Sequence, residues 1–279
     1  MGNPLILQSD FGLSDGAVSA MYGVANGVDP DIKIYNLTHD IPPFDIWEGS
    51  YRLLQTITYW PEQSVFVSVV DPGVGTDRRS VVARTVSNHF IVTPDNGTLT
   101  HVNKDIGIAE MREIDETVNR LPNSGASHTF HGRDIYAYTG ARLAAGIISF
   151  EQVGPKIDTE KLVMLPTMDA TLKEDMLHGI IDVLDIRYGN IWTNISRSQL
   201  LDLQVQYGDS VKVTIEHEAA IVFEREMIYG RSFAATEKGE TLIYINSLDN
   251  VAVAINQQSF AKKYKIGTGV DWKVYIKKS

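Results

Sequence analysis

The chain of 279 residues contains no cysteine. That excludes disulfides, thiolate nucleophiles and every Cys-ligated metal or iron–sulfur centre at once. Positive charge is scarce as well: 25 Lys and Arg stand against 35 Asp and Glu, a formal net charge of −10. A chain this acidic has no overall field with which to hold nucleic acid or an anionic membrane, and neither is expected as a partner. No apolar run approaches the roughly 18 residues of a membrane span. The first eight residues, MGNPLILQ, lack the basic start and long apolar stretch of a secretion signal, and Ile6 breaks a myristoylation signal. A cytoplasmic protein is the expectation. Gly-x-Gly-x-x-Gly and Gly-x-x-x-x-Gly-Lys-Ser/Thr loops are missing too, which withdraws support from phosphate-bearing cofactors.

What is present is an ordinary globular composition, 43% apolar and 22% charged. The length suits two domains. In the first half two periods alternate. Leu5-Ile6-Leu7 reads as a strand, and Val18, Met21, Tyr22, Ala25 and Val28 follow at helical spacing. Ile32–Tyr35 reads as a second strand, and Trp47, Tyr51, Leu54 and Thr58 as a second helix. Val65–Val70 is a nearly continuous apolar strand, as expected when both faces are covered. Short strands at Val81–Arg84 and Phe90–Thr93 and a helix from about Asp134 to Ala145 continue the pattern. An α/β domain with a largely parallel sheet is predicted. The polar stretch Lys156–Lys173 reads as a linker, and beyond it seven short β runs between Gly, Asn and Asp turns predict a small β-barrel or sandwich. The domains are placed at 1–160 and 172–279.

Ligands of open parallel sheets bind outside the carboxyl ends of the strands. That edge is crowded with acids here. Asp10 ends the first strand, with Asp15 nearby; Thr38-His39-Asp40 ends the second and Asp71-Pro72-Gly73-Val74-Gly75 the third, followed by Arg78-Arg79. Pro94-Asp95-Asn96-Gly97 and Phe130-His131-Gly132-Arg133-Asp134 come later. A single acid in such a place is more often a helix N-cap, and Pro-Asp-Asn-Gly an ordinary hairpin turn; several acids at one edge favour a site. Two chemistries compete. One is a metal-dependent hydrolase using Asp10, Asp15, Asp40, Asp71 and His131 as ligands, although no His-Glu-x-x-His or Asp-x-Asp-x-Asp-Gly pattern is present. The other is a nucleoside site without metal, in which a carboxylate grips a ribose diol and aromatics stack on a purine. His39 is left between a ligand and a hydrogen-bonded loop residue.

Six ordered motifs carry a resemblance. They are Ser9-Asp10-Phe11-Gly12 with Asp15, Val70–Gly75 with Arg78-Arg79, Pro94–Gly97, Phe130–Asp134, Asp185–Asn190 with Trp192–Ile195, and Asn246-Ser247. Together they resemble the S-adenosylmethionine hydrolases that form adenosine, also called S-adenosylmethionine hydroxide adenosyltransferases, relatives of the fluorinase and chlorinase. The resemblance implies an N-terminal α/β domain, a C-terminal β-barrel and a homotrimer whose sites lie between subunits. It implies displacement of methionine from C5′ by water or hydroxide, without a cofactor or metal. By the motifs, Asp71, Arg78 and His131 match the catalytic set, with Arg79 as an adjacent contender. Asp10 matches the ribose-binding acid, and Asp15 a residue near the methionine. Phe44 and Tyr188 match aromatics around the substrate, Asn190 an adenine contact, and Asp185 and Ser247 positions that hold the methionine end. The halogenating relatives carry Tyr at the positions of Asp71 and His131 and Ser at that of Gly132. Relatives often place Gly or Arg where Leu248-Asp249 stands. The mechanism expected is one water accepted by both Asp71 and His131, with Arg78 stabilising the developing hydroxide. A non-catalytic binder of S-adenosylmethionine or adenosine is a further reading.

Overall fold

The computed structural model describes residues 2–279, in two compact units that part between Leu165 and Pro166. The first unit is built on a seven-stranded sheet. Its strands are β1 (Leu5–Ser9), β2 (Ile34–Thr38), β3 (Val65–Val69), β4 (Ser80–Thr85), β5 (Phe90–Pro94), β6 (Ile108–Glu113) and β7 (Lys156–Ile157), in the order β2-β1-β3-β5-β4-β6-β7. The pairings of β1 with β2 and β3, and of β3 with β5, are parallel. β4, β6 and β7 add antiparallel pairs. The turn from β4 to β5 is too short for the crossover that parallel strands need, so a hairpin forms there.

Both faces of this sheet are covered. Leu5, Leu7, Val65 and Val67 face a core shared with Met21 and Ala25 of α1 (Ala17–Val28) and with Ile135, Tyr136 and Ala141. Ile6, Phe66 and Ile91 face the opposite core, with Leu53 and Ile57 of α2 (Ile46–Ile57) and Val102 of α3 (Thr100–Asp105). Period-two alternation with apolar residues on both faces is what makes β1 and β3 read as continuous apolar runs. Two further helical pieces follow. They are α4 (Glu116–Asn119) and a π-helical turn, Gly132–Ala137, that continues into α5 (Tyr138–Ala144).

The stretch read as a linker is largely structure. Lys156–Ile157 is β7, the backbone N–H of Val163 donates to Asp95 Oδ1 at 2.9 Å, and that of Leu165 donates to Thr100 Oγ1 at 2.9 Å. Polar side chains masked this role, because the segment is held by its backbone. Pro94–Gly97 is not a hairpin either. Asn96 Nδ2 donates to the Val70 carbonyl at 2.8 Å, its Oδ1 accepts from Thr98 Oγ1 at 2.7 Å, and the chain runs on into α3.

The second unit holds β8 (Thr171–Lys173), β9 (Met176–Leu184), β10 (Ile191–Ser196), β11 (Ser210–His217), β12 (Ala220–Tyr229), β13 (Thr241–Ile245), β14 (Asn250–Ile255) and β15 (Gly269–Lys278). The order β10-β14-β13-β12-β11-β15-β9 closes on itself through the β9–β10 pairing, a seven-stranded barrel with β8 beside β9. Closure decides for the barrel over the sandwich and removes most free edges. The interior is filled by Ile181, Ile191, Val211, Val213, Ile243, Val253, Val274 and others. Helices α6 (Arg197–Asp202) and α7 (Phe260–Tyr264) pack on this unit. Among the described residues no helix is long and apolar enough to cross a membrane.

Candidate active site

In the order β2-β1-β3 the chain leaves β1 in opposite directions to reach β2 and then β3, which makes the β1/β3 boundary the switch point where open sheets place ligands. Asp10 follows β1 and Asp71 follows β3, so the two carboxylates flank that boundary. A cleft of about 260 Å³ opens there, lined by Asp10, Phe44, Asp71, His131 and Gly132, among others.

Asp71 and Arg78 form a fork. Arg78 Nε donates to Asp71 Oδ1 at 2.7 Å, and Arg78 Nη2 donates to Oδ2. The same Nη2 lies 3.1 Å from His131 Nδ1. Arg78 Nη1 donates to Ser80 Oγ at 3.2 Å, Ser80 lies 3.1 Å from the Tyr136 hydroxyl, and the guanidinium sits 5.6 Å from the Tyr136 ring centroid. Burial pushes the Tyr136 phenol above its ordinary value, so it stays neutral beneath the cation. Arg79 turns the other way, onto Asp95 and the carbonyl of Lys161 at 2.6 Å. The sequence left these two arginines as contenders; in the structure it is Arg78 that touches Asp71 and His131.

His131 is 5% exposed and opens the π-helical turn. Burial first, and the Arg78 cation second, hold its pKa below the usual value, so the ring is neutral at physiological pH. A guanidinium only donates. The shorter guanidinium contact assigns Nδ1 as the accepting nitrogen, with the proton on Nε2. That lone pair is occupied by Arg78, whereas the resemblance implies a His131 that accepts from water. Each Asp71 oxygen, having accepted one N–H from Arg78, keeps a lone pair for a further donor.

Asp10 Oδ2 accepts the backbone N–H of Phe44 at 2.9 Å. Phe44 has φ +70°, a left-handed conformation that costs a non-glycine residue about 1–2 kcal/mol. Its ring is 71% exposed at the cleft. Asp15 does not reach the cleft lining; it accepts from the N–H of Ala17 at 2.9 Å at the start of α1.

The barrel unit carries its own hollow, about 770 Å³, lined by Asp185, Tyr188, Asn190, Phe233, Tyr244 and the 255–259 segment, with Arg187 at its edge. Asn190 Nδ2 donates to the Tyr244 hydroxyl at 3.2 Å and to Asp185 Oδ2 at 3.4 Å, which leaves its carbonyl oxygen for a ligand. The turn that presents these groups depends on Gly189, at φ +70°, where a Cβ would meet Ser259 Oγ at 1.9 Å. Ser247 sits in the β13–β14 turn and is not part of the lining. Asn246 Oδ1 closes that turn by accepting from Leu248 N at 2.9 Å, and Asp249 pairs with Arg197.

The remaining histidines of the sheet edge are structural. His39 Nδ1 meets Ser9 Oγ at 2.7 Å and its Nε2 meets Asn36 Oδ1 at 3.0 Å. Burial lowers the pKa of His39 to about 4 and that of His101 likewise to about 4. Among the described residues no three His, Asp or Glu side chains come together as metal ligands. Phe11 and Phe130, whose rings meet edge to face at 5.7 Å, wall the cleft, and Phe233 and Tyr244 wall the barrel hollow at 5.1 Å. Phe11 and Phe130 stand inside sequence motifs that give them no role, and Phe233 and Tyr244 carry no signal in the sequence. No motif marks that last pair, which loop and strand bring together from 11 residues apart.

An Asp–Arg–His cluster at the switch point of an α/β sheet, carried on one chain with a barrel that has an aromatic-walled hollow, defines the class: an α/β-plus-barrel protein. Residues 5–154 match the SAM hydroxide adenosyltransferase N-terminal domain, and residues 179–273 match the SAM hydroxide adenosyltransferase C-terminal domain. The chain belongs to the SAM hydroxide adenosyltransferase family. It is 35% identical to the (R)-S-adenosyl-L-methionine hydrolase of Methanocaldococcus jannaschii, over 87% of this chain and 84% of the relative. It is 29% identical to a fluorinase of Actinopolyspora mzabensis, over 97% of each. A crystal structure of an uncharacterized conserved protein from Thermotoga maritima superposes with a TM-score of 0.87 at 29% identity, covering 98% of this chain and all of the other.

Proposed function

We propose that this protein hydrolyses S-adenosyl-L-methionine to adenosine and L-methionine. The observation that carries the reading is the Asp71–Arg78–His131 cluster at the β1/β3 switch point. Water attacks C5′, the C5′–S bond breaks, and methionine leaves as a neutral thioether that needs no acid. The attacking water gives one proton to Asp71, which passes it to solvent. Because the nucleophile is weak, most of the rate enhancement comes from orientation and partial deprotonation. Arg78 fixes the carboxylate by its two-point grip, and the neutral His131 fixes Arg78. The sulfonium charge disappears in the transition state, so a carboxylate held against sulfur would favour the ground state. Asp71 engaged by Arg78, and Asp10 assigned to the ribose diol, suit that requirement.

The barrel hollow is assigned to the adenine. Tyr188 and Phe233 supply its aromatic faces, and the free Asn190 carbonyl accepts from the exocyclic amine. Asp185, Asp15 and Ser247 are assigned to the methionine end. Gly132 argues for water over halide as nucleophile: a Cβ there would lie 3.1 Å from the Phe11 ring, so the serine of the halogenating relatives would not fit without displacing Phe11. The reading includes no cofactor, a cytoplasmic location and a homotrimer in which subunits share sites. The N-terminal cleft is smaller than the roughly 300–1,000 Å³ of a small-molecule site, which supports a site completed from elsewhere. Incubating the EDTA-treated protein with S-adenosylmethionine, with and without chloride, is expected to release adenosine and methionine in equal amounts at an unchanged rate. A need for a divalent ion, or binding without turnover, would replace this reading with a metal-dependent hydrolase or a sensor.

A further inference from the structure

Arg78 holds one side of the His131 imidazole; a second guanidinium stands at the other. Arg120 follows α4, and its Nη2 lies 3.5 Å from His131 Nε2. The same Nη2 donates to Glu116 Oε2 at 2.7 Å, one helical turn back. Arg120 Nη1 is buried without a hydrogen-bond partner in the protein. A charged N–H in that state costs about 1–3 kcal/mol or more, as it does for Arg112 Nε, so the placement of Arg120 rests on its contacts with His131 and Glu116.

We propose that Arg120, steered by Glu116, is a positioning residue of the reaction, acting through His131. Both guanidinium groups are donors, and a neutral imidazole has one accepting nitrogen. The shorter contact gives that role to Nδ1 and leaves Arg120 facing the Nε2 proton. Arg120 therefore acts chiefly against the imidazolium, whose extra charge would be pressed between two cations. A ring kept neutral keeps its Nδ1 lone pair for Arg78, and Arg78 keeps Asp71 aimed at the water. The groups that face the ring are Asp71 after β3, Arg78 before β4, Glu116 at the start of α4, Arg120 just past its end, and His128 from the preceding loop, its ring centroid 6.2 Å away. Among these, Arg120 lowers the His131 pKa and Glu116 raises it.

The inference rests on the hydrolase reading for its kinetic arm only. Arg120→Gln, Arg120→Lys and Glu116→Gln are to be compared with the wild type in steady-state turnover of S-adenosylmethionine and in NMR titration of 13C-labelled histidine, with the His131 signal assigned from His131→Gln. Arg120→Gln is expected to lower kcat by about 10- to 100-fold with KM nearly unchanged, because Arg120 is not part of the cleft lining. Its His131 midpoint is expected to rise, and the acid limb of kcat to move to higher pH with it. Arg120→Lys keeps the charge and should restore the midpoint and most of kcat. Glu116→Gln removes an anion and should move the midpoint down. Opposite displacements by two partners of one ion pair are not produced by loosened folding. The proposal is overturned if both substitutions move the His131 midpoint the same way or not at all, or if Arg120→Gln raises KM and spares kcat. Should Arg120→Gln not fold, Glu116→Gln decides it: the proposal requires its His131 midpoint to fall while that of Arg120→Lys stays at the wild-type value, and any other pair of results overturns it. If the wild type does not hydrolyse S-adenosylmethionine, the hydrolase reading falls, and the titration still judges the electrostatic coupling.

Discussion

Arg78 and Arg79 are adjacent in the chain, and successive residues entering a strand project to opposite faces. That geometry separates their duties. Arg78 meets Asp71 and His131 on the cleft side, whereas Arg79 pins the buried Asp95 and the Lys161 carbonyl. Lysine keeps the charge but not the fork. Arg78→Lys is therefore expected to reduce turnover about 100-fold, with a stability loss of the same order as that of Arg79→Lys, since the Asp71 side chain is buried as well. Arg79→Lys is expected to retain turnover and to lose about 1–3 kcal/mol of stability, because Asp95 is left under-bonded. Turnover assays beside thermal denaturation read both, and the reverse pattern would exchange the two assignments. In the sequence only the motif match sets Arg78 apart from its neighbour Arg79; the turn before β4 adds the contacts that distinguish them.

The elements that position the groups of the N-terminal cleft are packed with little slack. A Cβ at Gly140 of α5 would lie 2.5 Å from Val67 Cγ2 and 3.4 Å from Leu5 Cδ1. Gly140→Ala should raise helix propensity and still destabilise the fold by about 1–3 kcal/mol, read as a lower denaturation midpoint at an unchanged m-value. A net gain in stability would mean that α5 can move off the sheet. Such close packing also explains what the sequence conveys. β1 and β3 are legible because both faces are dry. β2 is displaced toward the carboxyl side of its expectation, starting at Ile34 where Ile32 was expected, because Ile32 packs in the preceding turn while Asn36 and Thr38 extend the edge strand. β6 escaped notice because its charged residues find partners: Glu110 pairs with Arg84, Arg112 and Lys156. The helix after His131 was expected from about Asp134, but begins at Gly132 as a π-turn, a local widening without hydrophobic periodicity. The motif residues of the N-terminal cleft were legible because they follow strands at one sheet edge. Arg120 and Glu116 were not, since their meeting with His131 depends on how the segment after β6 folds back.

At the scale of the molecule, the chemistry is divided. The acid–base cluster belongs to the unit ending at Leu165, and the aromatic hollow to the unit beginning at Pro166. Under the trimer proposed above, each site takes its cleft from one subunit and its barrel from the next, a heterologous arrangement closed by three-fold symmetry. The consequence is numerical. Let Asp71→Ala disable the cleft, and let Tyr188→Ala with Asn190→Ala disable the hollow. Each protein alone has no intact site. Unfolded together in equal amounts and refolded, they form mixed trimers in which a site is intact when its cleft comes from the second variant and its barrel from the first. Random assembly gives that with a probability of about one half times one half, so about one quarter of wild-type activity should return. A site completed within a single subunit would give none, because no subunit in the mixture carries both intact halves. Light scattering of the same samples reports the mass of the assembly, so a failure to associate is separated from association without shared sites.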